Sequence, residues 1–196
     1  NLSIGTFAGS SNITGSFNTA IGVAAMSGFP SGGTAINRAI AIGNQALNQN
    51  TQNDIIGIGY RTLQANTGVG NFAIGNYALE YNTSGAYNLA LGFEALQDNN
   101  GDNNIAIGFG SLRNNTTGDF NAAIGLNALS QNTTGTGNIA FGSNVLTNSI
   151  SGNDNAGLGT NIMDVQTTAS GNTGFGINIL RANTTGQGNI GIGTSI

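Results

Sequence analysis

A glycine recurs along this chain at the end of a fixed frame of Asn, any residue, small, large apolar, Gly, as in Asn121–Gly125 (NAAIG) and Asn138–Gly142 (NIAFG). With that glycine as position 0, the frame ends at Gly5, Gly22, Gly43, Gly59, Gly75, Gly92, Gly108, Gly125, Gly142, Gly159, Gly176 and Gly193. Successive glycines are 17, 21, 16, 16, 17, 16, 17, 17, 17, 17 and 17 residues apart. That period is too long for a heptad and too short for a helix-pair repeat, so one small unit is repeated along the whole chain.

The columns of the repeat define the unit. Position −1 is always large and apolar, from Ile4 to Ile192, position −2 is always Ala, Gly or Ser, and position −3 is mostly apolar. Apolar residues at −3 and −1 around a small −2 have the period of two of a short β-strand, with the −1 side chains expected to fill the interior. A second apolar pulse at +3 and +4, as in Ala95-Leu96 and Ala128-Leu129, predicts a second short extended segment. Asn-Thr-Thr-Gly or a relative follows in most copies, as at Asn132–Gly135, and is turn chemistry because Asn and Gly tolerate positive φ. Central glycines and β-branched residues exclude helices.

The expectation is an all-β parallel β-solenoid over residues 1–196, a single repeat domain of about twelve coils of 16–17 residues. Stacked at about 4.8 Å, such coils make a rod roughly 55 Å long. Asn at −4 in ten of twelve frames predicts a side-chain ladder from coil to coil.

Charged residues are only 6% of the 196, against about 25% in ordinary globular domains. The chain contains no Cys, His, Lys or Trp, which excludes disulfides, thiolate chemistry, Cys/His zinc sites and His-based proton transfer. Its four cations, Arg38, Arg61, Arg113 and Arg181, are far apart in sequence and the net charge is −4, which argues against a nucleic-acid partner. No apolar run reaches the roughly 20 residues of a membrane span, no cofactor is expected, and the chain reads as a segment of a longer polypeptide.

Three or four apolar side chains per coil are a thin core for 17 ordered residues, each costing roughly 1.5 kcal/mol in conformational entropy. If −1 faces the interior, the small −2 column lies outside, and Ala106, Ala123 and Ala140 become candidates to line an oligomer axis. A coil that is simply narrow at −2 is the competing explanation.

The frame Asn-x-Ala-Ile-Gly-x-x-Ala-Leu-x-x-Asn-Thr-Thr-Gly, complete at Asn121–Gly135, resembles repeats of phage-type tail fibres and related surface-fibre proteins. It is also similar, with a longer coil, to the Ala-Ile-Gly repeats in the heads of trimeric autotransporter adhesins. The resemblance runs through all twelve frames, although no neck, coiled-coil stalk or membrane anchor accompanies it. It implies a left-handed β-roll wound as a homotrimer. The expected function is a non-enzymatic, extracellular or virion fibre segment, acting as rigid spacer or as adhesive head for a host-surface glycan or protein receptor. Two other readings are an ice- or crystal-surface-binding solenoid, suggested by the recurrent threonines, and a glycan-cleaving tailspike.

Candidate sites fall into three groups. The widened spacing between Gly22 and Gly43 accommodates an insertion around residues 28–38 with Phe29 at its tip. Tyr60, Tyr77, Tyr81, Tyr87, Phe93 and Phe109 lie off the core columns, suited to stacking on sugar rings or to stacking on one another between coils. Asp102 and Asp119 follow the turn glycines of adjacent frames, so they are the weak candidates for a carboxylate pair or metal site, with solvated turn charges as the plainer reading.

Overall fold

The computed structural model describes residues 1–11, 14–28 and 35–195. Its strands are β1 (Leu2–Ile4), β2 (Thr19–Ile21), β3 (Ile40–Ile42), β4 (Ile56–Ile58), β5 (Phe72–Ile74), β6 (Leu89–Leu91), β7 (Ile105–Ile107), β8 (Ala122–Ile124), β9 (Ile139–Ser143), β10 (Ala156–Thr160), β11 (Thr173–Ile177) and β12 (Ile190–Thr194). They form one parallel sheet in sequence order, twelve strands and so eleven turns of a β-solenoid. Equal frame positions pair, Ala123 with Ala140 and Ile124 with Phe141. Register survives the widened spacing, where Thr19 pairs with Ile40 and Ile21 with Ile42.

Position 0 must be glycine because coils touch there. Its φ lies near 130°, and a Cβ on Gly5 would come within 2.6 Å of the Gly22 carbonyl oxygen in the coil above. Backbone pairing then continues beyond the sheet: the Leu47 N–H donates to Thr62 O at 2.9 Å and the Tyr77 N–H to Tyr60 O at 2.9 Å.

The structure corrects two expectations. The apolar pulse at +3 and +4 is a tight turn, not a strand, with positive φ at +2 and +4; the +4 column includes Leu47, Leu79, Leu96 and Leu129 at 51–53°. Leucine enters this region only when packing outweighs the local penalty of roughly 1–2 kcal/mol. Here burial supplies the difference, since those leucines have no exposed surface and full burial of a leucine is worth about 1.5–3 kcal/mol.

The second correction exchanges inside and outside. The −2 alanines are interior, with Ala106, Ala123 and Ala140 at 0% exposure, whereas Ile74, Ile124, Phe141, Leu158 and Phe175 at −1 are 37–52% exposed. The +4 leucine reaches across the coil and leaves room for no more than a methyl group beneath the strand. A Cβ on Gly57 would already lie 3.2 Å from Leu47 Cγ, and where +3 is isoleucine no methyl fits either, since a Cβ on Gly174 would lie 2.5 Å from Ile162 Cγ2. The small column therefore serves a narrow coil, and these alanines are not available to line an axis between chains.

Two polar ladders flank this apolar interior. At −4, the Asn121 backbone N–H donates to Asn104 Oδ1 at 2.9 Å, while Asn121 Nδ2 donates to Gly135 O at 2.8 Å in the coil above. At +7, the asparagine that opens Asn-Thr-Thr-Gly also points inward: Asn115 Nδ2 donates to Asn99 Oδ1 at 2.6 Å, and Asn132 Nδ2 to Asn115 Oδ1 at 2.7 Å. Away from the ends of the rod both columns are buried, so their amides find partners within the protein rather than in water.

Candidate binding surfaces

Because side chains alternate along a strand, burying −2 turns −3 and −1 outward on every coil. The outer face of the sheet is an apolar strip of Ile, Leu and Phe, bordered at +1 by Val23, Phe93, Phe109, Leu126 and Ile177, all of them exposed. On β9–β11 the small Ala156 and Thr173 open a shallow apolar groove of about 210 Å³ between Phe141 and Phe175. Charge is absent from the −3 and −1 columns.

Four of the off-core aromatics form a ladder on consecutive coils. Tyr60 and Tyr77 meet edge to face with centroids 5.2 Å apart, Tyr77 and Phe93 likewise at 5.7 Å, and Phe93 stacks on Phe109 at 5.2 Å with 9° between planes. The Arg61 guanidinium sits 5.4 Å from the Tyr60 ring centre. Each ring pair adds roughly 0.5–1.5 kcal/mol beyond its buried area, so this row ties coils together.

Beside the ladder lies a charged cluster on neighbouring coils. Glu80 is buried, its carboxylate accepting from Gln97 Nε2 at 2.8 Å and facing Arg61 Nη1 at 3.4 Å. The exposed Tyr81 has its hydroxyl pKa raised, chiefly by the Glu80 charge. Burial pushes the Asp98 carboxyl up, with Arg113 partly opposing it. Arg113 also pairs with Glu94 at 3.2 Å.

Asp102 and Asp119 each accept a backbone hydrogen bond from the preceding coil. Asp102 Oδ1 accepts the Ala86 N–H at 2.7 Å and Asp119 Oδ1 accepts the Asp102 N–H at 2.7 Å. Asn53 and Asn153 do the same for Asn37 and Thr136, so position −6 is a turn column in which a polar side chain caps the coil before it, although Val69 and Ala86 occupy it in two coils. Among the described residues no group of three or more His, Cys, Asp or Glu is placed to hold a metal ion. The turn threonines also bond within the chain: Thr116 Oγ1 donates to Thr133 O at 2.8 Å and Thr133 Oγ1 to Ile150 O at 3.0 Å. Their hydroxyls brace the turn from coil to coil. Phe29 lies outside the described residues.

Two features escape a reading of the sequence. A cleft of about 490 Å³ lies over the turns after β8, β9 and β10, lined by Gln131, Thr133, Asn148, Ile150, Val165 and Thr167. At position −5, Phe17 and Phe120 join Tyr87, which the sequence already singles out: all three are strongly exposed and have positive φ. Their shared column was the available signal, hidden because glycines, Arg38, Asn103 and two aspartates occupy it elsewhere. No family model, no curated protein and no solved structure matches the chain.

Proposed function

We propose that this chain is a structural and adhesive segment of an extracellular or virion fibre, working as a parallel homotrimer wound as a left-handed β-roll and carrying no enzymatic activity. The observation that carries the reading is the outer sheet face. An uncharged strip of Ile, Leu and Phe runs the length of the rod, far longer than the apolar patches monomers ordinarily expose. Parallel copies wound around a common axis cover −3 and −1 on every coil at once, and coils of equal pitch keep the chains in register. Three copies follow from the resemblance to trimeric β-roll heads. The axis is thus lined by large residues such as Ile107, Ile124 and Phe141 rather than by alanines.

A rod of this kind suits a spacer: backbone hydrogen bonds and amide ladders link coil to coil, and the Asp102 and Asp119 carboxylates cap turns of the preceding coils. Sedimentation equilibrium at micromolar concentration tests the assembly. The expected mass is three times the 19.6 kDa of one chain; a folded monomer would refute the trimer. Hydrolysis of a surface glycan that is lost with Asp102→Asn or Asp119→Asn would refute the non-enzymatic reading.

A further inference from the structure

Bulky residues at positive φ are conformationally costly, and solvent-exposed aromatic rings gain little from packing. Tyr87 and Phe120 combine both, at φ 57° each and 64% and 63% exposed, in a column where Gly70, Gly137, Gly171 and Gly188 provide the unstrained solution. Nothing in the coil requires a ring there. The two positions are nevertheless rigidly held, since the Tyr87 N–H donates to Val69 O at 2.8 Å and the Phe120 N–H to Asp102 O at 3.1 Å in the preceding coils. The Tyr87 ring also rests on the turn below, where a Cβ on Gly70 would lie 2.6 Å from its Cδ1.

The geometry points to a glycan-binding platform made by Tyr87, Asn103 and Phe120, for an extended β-1,4-linked polysaccharide lying along the fibre. This deepens the adhesive reading proposed above and rests on the segment being displayed at a surface. The two residues are two coils apart in one column and share the same φ, which sets their backbones about 9.6 Å apart. That is close to the disaccharide repeat of an extended β-1,4 chain, in which alternate sugars turn the same face in the same direction. Sugars one and three can each lay their C–H face on a ring, while the exposed Asn103 on the coil between offers its amide to the hydroxyls of sugar two. A coiled α-linked chain does not keep that spacing.

Calorimetric titration of the whole segment with chitohexaose and cellohexaose, with maltohexaose for comparison, tests this. Tyr87→Gly and Phe120→Gly are suitable variants because glycine already occupies this column at positive φ in four other coils. The expected result is binding of a β-linked hexamer and none of maltohexaose, a loss of about tenfold in affinity for each single variant, and loss of measurable binding in the double variant. No binding of either β-linked hexamer, or unchanged affinity in the double variant, overturns the platform. So does a double variant that sediments with a lower mass than wild type, which assigns the rings to a subunit contact. A wild type that is monomeric yet loses binding in both variants retains the platform and removes the trimer.

Discussion

The middle coils and the C-terminal coils fill the same interior in different ways. Across β5–β8, alanine at −2 faces Ala78, Ala95, Ser111 or Ala128 at +3. From β10 onward −2 is Gly157, Gly174 or Gly191, and +3 becomes Ile162 or Ile179. The exchange is steric, since a Cβ on Gly191 would lie 2.6 Å from Ile179 Cγ2. Gly57 with Thr62 repeats the pattern earlier in the chain. What is constant is the volume between strand and turn, not the residue at either side, as expected of an interior packed at crystal density. The strands lengthen from three residues to five at β9–β12, where Ser143, Thr160, Ile177 and Thr194 occupy +1 and three of the four are β-branched.

The two regions also differ in polar order. The +7 ladder runs Asn50, Asn66, Asn82, Asn99, Asn115, Asn132 and then changes to Ser149 and Gln166 before Asn183. At that change Asn132 Oδ1, Ser149 Oγ and both amide atoms of Gln166 are buried without a hydrogen-bond partner. Orphaned groups of this kind cost about 1–3 kcal/mol each, so the C-terminal coils are the less stable half of the rod.

Substitutions can break this comparison. The largest effect is expected from Ala106→Leu, Ala123→Leu and Ala140→Leu together, which overpack three interior sites at about 1–3 kcal/mol apiece and should leave no folded rod by circular dichroism. Next is Gly174→Ala, expected to destabilise by about 1–3 kcal/mol in denaturant titration because its methyl would enter the space of Ile162. Ile162→Ala in the same chain should recover part of that loss, a coupling of about 0.5–3 kcal/mol; strict additivity would break the volume rule. Restoring the ladder with Ser149→Asn and Gln166→Asn should raise stability by about 1 kcal/mol per bond formed.

The smallest effect concerns pH. Burial raises the Asp98 carboxyl above its unfolded value, so the folded chain binds more protons in the window from the usual carboxylate range upward. Stability therefore falls as pH rises through that window, and Asp98→Asn should flatten this slope and slightly raise the melting temperature near neutrality. An unchanged slope would place Asp98 in solvent.

Strand positions and register were legible because −3, −2 and −1 alternate strictly and recur at fixed spacing. Which face turned inward was not. Alternation is symmetric about the sheet, and the deciding contact is a leucine at +4 in a left-handed conformation that its residue type disfavours. Asn132 reads as turn chemistry for a similar reason: the property that suits asparagine to turns conceals its inward amide. The stacking of Phe93 on Phe109 was readable from their common column, whereas Tyr77 joins from the next column only because a ring can reach across. The exchange between Gly157 and Ile162 was present in the sequence but has no meaning until −2 and +3 are known to touch.

Thiol labelling tests the central claim most directly, because the natural chain contains no cysteine. Ala123→Cys and Ile124→Cys place adjacent probes on the two faces of β8, with the exposed Ser84→Cys as reference. In the native assembly both β8 probes should resist maleimide while Ser84→Cys reacts; dilution to folded single chains should expose Ile124→Cys and leave Ala123→Cys protected. An Ile124→Cys probe that reacts as fast as Ser84→Cys at micromolar concentration would show the outer face bare to water, and a readily labelled Ala123→Cys would show that the coil is turned the other way.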